Sequence, residues 1–135
     1  MNIPFLGKRR TERGAVDPEG IGELLAECEL LRSQAGQTGV ELDDTVGSLE
    51  ALDQLLPRWR DDAEILPWLG NDAGLYLGTV VVRTVPGAAW MIRSDGQPVV
   101  LLASGREVDV VAAGQEWAVN GVPELSQWYA EVAAA

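Results

Sequence analysis

Residues 70–111 read GNDAGLYLGTVVVRTVPGAAWMIRSDGQPVVLLASGREVDVV, and this stretch decides the fold. Its glycine stripe (Gly70, Gly74 and Gly78) recurs every four residues, which places all three on one side of a helix. The valines at 80–82 would suit a strand equally well, but the glycine spacing favours a helix. Since each glycine costs about 1 kcal/mol relative to alanine in a helix interior, we expect the stripe to pack closely against another element.

Two short turns, Asp95-Gly96 and Ser104-Gly105, predict a three-stranded antiparallel meander after this helix. Treated as two-residue type I′ turns, they pair Ile92 with Val99 and Leu101 with Val108. Because side chains alternate along a strand, one sheet face is then wholly apolar and the other is mixed. The apolar face comprises Trp90, Ile92, Val99, Leu101, Val108 and Val110, and the mixed face comprises Met91, Arg93, Val100, Leu102, Glu107 and Asp109.

Hydrophobic periodicity predicts two helices before the glycine stripe. Asp17 caps the first, and the apolar stripe of this helix runs over residues 21–31 and includes Cys28. Ser48 caps the second, which ends at Pro57 because proline disrupts a helix interior.

The glycine-striped third helix begins at Asn71 or Asp72, and a last helix begins at Pro123. The last helix carries the apolar stripe Leu125, Trp128, Tyr129 and Val132 and is expected to cover an edge or the second face of the sheet. The predicted class is therefore α+β, with three N-terminal helices, a three-stranded antiparallel meander and one or two C-terminal helices. Residues 1–16 are predicted to form a flexible basic arm and residues 17–135 a single domain.

The chain of 135 residues has a formal net charge of −11. Residues 1–13 hold four basic residues and one acid, a sum of +3, which leaves −14 for residues 14–135. Only six basic residues follow residue 13, and this scarcity disfavours nucleic-acid binding, which depends on lysine and arginine contacts to phosphate. The acidity favours solubility and also steering towards a basic protein partner.

Histidine is absent and Cys28 is the only cysteine. These counts exclude a disulfide within the chain, a Ser-His-Asp or Cys-His site and a zinc motif. No catalytic residue, metal or cofactor is predicted, and the sequence favours a protein that is not an enzyme. The start MNIPFLGKRR has the wrong order for a secretory signal, and no run reaches the ~20 apolar residues of a membrane span, so we expect a cytoplasmic protein without membrane contact.

Two groups of residues are candidate binding sites. The predicted connection between Pro57 and Pro67, RWRDDAEIL, is bracketed by two tryptophans and has the composition of an interface anchor. Its candidate partner-binding residues are Arg58, Trp59, Arg60, Asp61, Asp62 and Trp68. The tryptophans contact a partner if they are exposed and contiguous, and otherwise they seal the loop onto its own domain.

The second group is the charged set of the mixed sheet face, Arg93, Glu107 and Asp109. These residues would form a small-ligand site or a carboxylate-dependent catalytic site if they converge in a concave pocket. Acidic clusters in a chain with 21 acids more often lie on a solvated surface.

Several stretches resemble a small actinobacterial family known only as a domain of unknown function. They are MNIPFLGK, LLAECELLRSQA, SLEALDQLLPRWRDD, LPWLGNDAGLYLGTVVVRTVPGAAW, ASGREVDVV and PELSQWYAEV. The resemblance covers nearly the whole chain and implies a bacterial cytoplasmic protein, but it assigns no catalytic residue.

The leading hypothesis from the sequence is a small acidic, non-enzymatic binding or regulatory protein that acts through protein–protein contact. An immunity-like or antitoxin-like protein that masks a basic partner is one version of this hypothesis. The alternative is a carboxylate-dependent enzyme or small-ligand-binding protein that uses the mixed sheet face.

Overall fold

The computed structural model of the chain describes residues 15–16 and 19–134. Within these residues the helices are α1 (Glu19–Leu25), α2 (Glu29–Gln37), α3 (Val46–Trp59), α4 (Leu66–Thr84), α5 (Val110–Asn120) and α6 (Leu125–Ala134). The strands are β1 (Ala15–Val16), β2 (Ala89–Ile92), β3 (Pro98–Leu101) and β4 (Glu107–Val108). The α+β class and the order of helices, meander and helices are confirmed. Most of the arm predicted at residues 1–16, and the cap at Asp17, lie outside the described residues; residues 15–16 form the short strand β1.

The first predicted helix is two helices, because the chain breaks at residues 26–28. Cys28 has a left-handed backbone conformation with φ of 41° and is the N-cap residue of α2. The Arg32 side chain donates to the carbonyl oxygens of Ala26 and Glu27, both at 2.9 Å, and so satisfies groups that a continuous helix would use. As a result Cys28 is buried as expected, but Leu24, which belongs to the predicted stripe, is 63% exposed.

The second predicted helix, α3, extends beyond its predicted limits at both ends. Thr45 caps it by accepting the backbone N–H of Ser48, so Ser48 is not the cap. Pro57 lies inside the helix, which continues to the buried Trp59. A proline removes a single backbone hydrogen bond, and burial of Trp59 offsets that loss. Since α4 then starts at Leu66, the long irregular connection predicted here is only the turn at residues 60–65.

The meander forms, with a register one residue away from the predicted one. Trp90 pairs with Val100, and the sheet order is β1-β2-β3-β4 with antiparallel neighbours. The hairpin loop has three residues, because the Arg93 N–H donates to the Gln97 carbonyl at 2.9 Å and Gly96 follows with φ of 89°. This is the pattern of a type I turn completed by a left-handed glycine, and the β3–β4 hairpin repeats it.

The one-residue slip exchanges side chains between the two sheet faces. The inner face, which packs on α4 and α5, consists of Trp90, Ile92, Pro98, Val100 and Val108. The outer face consists of Ala89, Met91, Val99, Leu101 and Glu107. The predicted composition of both faces is therefore wrong at β3, and residues 109–110 leave the sheet because α5 begins there.

The glycine stripe allows α4 to lie in backbone contact with α5. A Cβ at Gly74 would overlap the backbone of the first turn of α5, and a Cβ at Gly114 would overlap the backbone of Gly70 and Gly74. At the third stripe position, Gly78, a Cβ would overlap the ring of Trp90. Close packing of the stripe is thus observed, with a helix as its main partner and the sheet contacting it through one tryptophan.

The last helix, α6, has the predicted apolar stripe but a different position. Leu125 and Val132 are buried, and Trp128 and Tyr129 pack half-buried against the same core. This helix packs against α3, α4 and α5, so it covers the helical layer, not the sheet. Within the part of the chain that the structure describes, no helix has the length and apolarity needed to cross a bilayer.

Candidate functional site

The two tryptophans of the predicted partner site do not form a surface. Trp59 is 3% exposed and belongs to the hydrophobic core, and Trp68 is half-buried against that core. Trp59 is the last residue of α3 and Trp68 lies in the first turn of α4. Both rings are therefore oriented by helices and not by a loop. The two tryptophans therefore lack the exposed, contiguous arrangement that a partner site at both rings requires. Contact of a partner with the neighbouring residues stays a prediction.

Most polar residues of that segment lie in the turn between α3 and α4, whereas Arg58 lies in the last turn of α3. Arg58, Arg60 and Asp61 are exposed, and the carboxylate of Asp62 accepts the N–H of Glu64 at 2.9 Å within the turn. Arg60 reaches across to the end of α5, where it donates to the carbonyl oxygen of residue 119 at 2.9 Å. This bond fixes the turn beside α5.

Each of the three charges predicted to form a ligand site has a different local environment. Asp109 caps α5 by accepting the N–H of Ala112 at 3.1 Å and also lies 3.3 Å from the Gln97 amide. Arg93 is 3.7 Å from the Asp95 carboxylate, and Glu107 is exposed on the short strand β4. Because α5 starts directly after Asp109, this carboxylate caps the helix, and a joint ligand site of the three residues stays a prediction.

Arg32 and Asp44 form the centre of a polar network that sequence reasoning missed. Arg32 donates to the Leu42 carbonyl at 2.8 Å and to the Asp44 carboxylate at 3.0 Å, in addition to its two bonds at the α1–α2 break. Asp44, which has a positive φ of 64°, also pairs with Arg83 at 3.2 Å. Arg32 therefore connects the α1–α2 break with the loop before α3. Its N–H groups donate to acceptors within the protein.

The same network continues into the core through Tyr76. The Tyr76 hydroxyl accepts the N–H of Asp44 at 2.8 Å and lies 2.6 Å from the hydroxyl of Ser48. Arg32 stacks over the ring, 5.2 Å from its centroid. Burial raises the pKa of Tyr76, so the phenol stays protonated and acts as a structural hydrogen-bonding group.

Cys28 and Asp72 lie near this network, and the environment of each disfavours its charged form. Burial, followed by the nearby Asp72 carboxylate, raises the pKa of Cys28 to about 12, which makes the thiol a poor nucleophile. Burial also raises the pKa of Asp72, whose carboxylate accepts the N–H of Leu31 at 3.2 Å. Among the described residues, no group of three or more His, Cys, Asp or Glu side chains is arranged to hold a metal ion.

A surface recess lies between the start of α4 and the end of α5, and we name it the Val119 groove. Its volume is about 240 Å³. Its lining residues are Leu66, Pro67, Gly70, Asn71, Gln115, Ala118 and Val119. The absence of a side chain at Gly70 brings the two helices together at the floor of the recess.

Apolar side chains are exposed at this groove. Val119 is 67% exposed and Leu66 is 37% exposed, and Val122, three residues beyond Val119, is 63% exposed. The connecting Gly121 lies against Arg60, so the α3–α4 turn borders the same surface. The sequence carries a partial signal for this feature: Ala113 and Trp117 define the buried stripe of α5, and Val119 does not belong to that stripe.

Together these observations define a small acidic α+β protein whose described surface carries an apolar groove beside a charged turn. The chain belongs to the family described as "Family of unknown function (DUF6278)", which it matches over residues 1–135. The resemblance to a domain of unknown function expected from the sequence is thereby confirmed. No curated protein and no solved structure matches the chain.

Proposed function

We propose that this protein is a small, non-enzymatic binding protein that acts by contact with a basic protein partner, and that the Val119 groove is its contact surface. The observation that carries the proposal is the exposure of Leu66 and Val119 in the lining of one recess, with Val122 exposed three residues further along the chain. Apolar side chains beside a recess are typical of the centre of a protein interface, where the partner inserts an anchoring side chain. The recess has room for a single large side chain, and its charged border would form the polar rim.

The charge of the molecule supports a basic partner. Asp61 and Glu64 in the α3–α4 turn and Glu116 on α5 are exposed near the groove, whereas Arg60 is committed to a backbone carbonyl. Residues 14–135 carry a formal charge of −14, so the long-range field attracts cations and repels acidic surfaces. Such a field raises the association rate with a basic protein and suppresses binding of acidic ones.

The biological setting that we propose is the cytoplasm of an actinobacterium, with an immunity-like or antitoxin-like role of masking a basic protein. The nine arginines against one lysine are compatible with a GC-rich genome, and a single buried thiol is compatible with a reducing compartment. The role and the compartment are independent of the position of the contact surface.

The experiment that tests the contact surface compares Val119→Asp and Leu66→Asp with the control Leu24→Asp. Leu24 is 63% exposed and Val119 is 67% exposed, so each change places a carboxylate on a comparably open helix surface, but Leu24 lies on α1. Tagged wild-type protein and the variants are crosslinked in lysate of the source cells, and the captured proteins are identified by mass spectrometry. We expect one basic protein whose capture is lost with both groove variants and retained with Leu24→Asp.

The captured complex should also weaken as salt increases, because the attraction between opposite charges is screened. The proposal is wrong if the groove variants retain the same partners as wild type or if capture falls equally in the Leu24→Asp control. A specifically captured acidic protein would contradict the charge argument.

A further inference from the structure

The Val119 groove has an apolar end and a polar end, because the two helices that form it run antiparallel. A Cβ at Gly70 would lie 2.8 Å from the Cα of Gln115, whereas a Cβ at the next glycine of the stripe would overlap the first turn of α5. Residues 66 and 67 therefore lie opposite residues 118 and 119, and these four form the apolar end. One helical turn further along, Asn71 and Gln115 supply the polar lining of the recess.

Length and charge select the side chain that fits this lining. Val119 and Gln115 are four residues apart on α5, a rise of about 6 Å, and an arginine side chain has nearly this length from its Cα to its guanidinium carbon. Asn71 and Gln115 are both exposed, so their amide oxygens can accept hydrogen bonds from a partner. The acidic field of the molecule favours a cationic donor over a neutral one.

Arginine suits the recess better than lysine, because no carboxylate is among its described lining residues. A lysine ammonium group is strongly hydrated, and here it would lose water without gaining an ion pair. A guanidinium is less strongly hydrated, and its planar N–H groups can bond to two acceptors at once. Arg60 lies at the other end of the groove, where it donates to the Val119 carbonyl at 2.9 Å, so the amide end is one turn away from that charge.

We propose that the Val119 groove receives an arginine side chain of the basic partner, with its aliphatic stem between Leu66 and Val119 and its guanidinium on the amides of Asn71 and Gln115. The existence of a protein partner rests on the proposed function, and the arginine defines the chemistry of the residue that anchors that partner. Arginine is enriched among the residues that dominate the binding energy of interfaces, whereas lysine is depleted from interfaces.

Disulfide tethering beside the groove tests this chemistry without a known partner. The Asn120→Cys variant carries an exposed thiol next to Val119, and Leu24→Cys is the control with an exposed thiol on α1. Each variant is equilibrated with the disulfide of guanidinopropanethiol, aminopropanethiol or phenylpropanethiol under excess mercaptoethanol, and mass spectrometry measures the labelled fraction. Cys28 is buried and its pKa is raised to about 12, so it does not compete for the probes.

We expect the ratio of guanidinium to ammonium labelling to be severalfold higher at Asn120→Cys than at Leu24→Cys. Adding Asn71→Leu and Gln115→Leu should return the ratio to the control value, because these changes remove the amide acceptors and keep the approximate size of the side chains. Equal ratios in the two single variants, or a preference that survives the loss of both amides, would overturn the proposal. Stronger labelling by the phenyl probe at Asn120→Cys would overturn it in favour of an aromatic anchor.

Capture of the partner from lysate separates the arginine anchor from the contact surface. Asn71→Leu/Gln115→Leu should lower capture of the basic partner severalfold, whereas Gln127→Leu, which removes an exposed amide on α6, should leave it unchanged. If Val119→Asp abolishes capture and the variant without the two amides retains it, the contact surface stands and the arginine anchor is wrong. If Val119→Asp also retains the partner, the contact surface itself is wrong.

Discussion

At the scale of single residues, Asp72 illustrates how a helix terminus is stabilised from a distance. Cys28, the N-cap residue of α2, makes no side-chain capping bond, and the N–H of Leu31 in the first turn is satisfied by Asp72 of α4. The bond and the helix dipole favour the charged carboxylate, whereas burial disfavours it, and burial is the larger effect, so the pKa of Asp72 is raised. The capping interaction is therefore formed at an electrostatic cost.

The sign of this pKa shift sets a pH dependence. The folded protein holds the Asp72 proton more tightly than the unfolded chain does, so at neutral pH the charged carboxylate lowers the free energy of unfolding. Acidification through the folded-state pKa removes that cost. We expect Asp72→Asn, which keeps an acceptor without charge, to be more stable than wild type at pH 7, with an advantage that shrinks as the pH falls towards about 4.

Asp72→Ala is the matched comparison, because it removes both the charge and the acceptor. It should be less stable than Asp72→Asn by about 1 kcal/mol, the usual value of a helix cap. Urea denaturation of the three proteins across this pH range measures both effects. A wild-type protein that is more stable than Asp72→Asn at pH 7 would show that the helix dipole and the bond to Leu31 outweigh burial.

At the scale of helices and strands, one carboxylate joins three helices. Asp53 of α3 accepts the indole N–H of Trp117 at 2.9 Å and the N–H of Leu125 at 2.8 Å through one oxygen. Its other oxygen accepts the N–H of Ser126 at 3.2 Å and the Ser126 hydroxyl at 2.7 Å. Asp53 thus caps α6 from a neighbouring helix and fixes α5 beside it.

Asp53→Ala should destabilise the protein by about 3 kcal/mol, because several partly buried donors lose a charged acceptor together. Asp53→Asn, with one remaining carbonyl acceptor, should have an intermediate effect. Glu50→Ala is the control, since Glu50 is an exposed acid on the same helix. Denaturation followed by tryptophan fluorescence measures the loss, and equal effects of Asp53→Ala and Glu50→Ala would contradict the docking role.

The contact between α4 and α5 depends on glycine on both helices. A Cβ at Gly114 would overlap the backbone of Gly70 and Gly74, and backbone atoms cannot move aside as side chains do. Gly114→Ala should therefore cost about 3 kcal/mol, the upper part of the range for overpacked cores. Gly36→Ala in α2 meets open space and should gain up to about 1 kcal/mol from helix propensity. In thermal denaturation, the unfolding midpoint should therefore fall for Gly114→Ala and rise for Gly36→Ala.

The glycine stripe was predictable because its spacing is a local property, whereas the hairpin register was not. A two-residue type I′ turn and a three-residue turn that ends in a left-handed glycine both require glycine at the same place, so the sequence around Gly96 fits either. The hydrogen bond from Arg93 to Gln97 decides between them. At Pro57 the local sequence predicts the wrong helix end. Proline normally ends a helix, but α3 continues to Trp59, whose side chain is buried in the core.

At the scale of the whole molecule, the position of the binding surface depends on which helix faces meet. Composition alone made the α3–α4 segment a candidate interface, and its turn does border the Val119 groove through Arg60. Which apolar side chains remain exposed follows from the packing of several helices together, in which Trp59 is buried and Val119 is open. Sequence periodicity identifies the apolar face of a single helix, so it does not predict which apolar side chains stay exposed after the helices pack together.

Electrostatic repulsion also belongs to the whole molecule. The three ion pairs among the described residues involve only two acids, Asp44 and Asp95. Residues 14–135 contain 20 acids and six arginines, so acids outnumber basic residues more than threefold. Mutual repulsion of like charges opposes the compact state, and it is screened by dissolved salt.

Added NaCl should therefore stabilise the folded protein. Increasing the salt from about 0.02 M to about 0.5 M shortens the Debye length from about 20 Å to about 4 Å. We expect the midpoint of thermal unfolding to rise by about 4 °C, which corresponds to about 1 kcal/mol for a chain of this size. The control is Glu50→Gln/Glu116→Gln/Glu131→Gln, which removes three exposed charges. It should unfold at a higher temperature in low salt and gain less from added salt, whereas an equal gain in both proteins would assign the stabilisation to exclusion of salt from the surface instead of to charge screening.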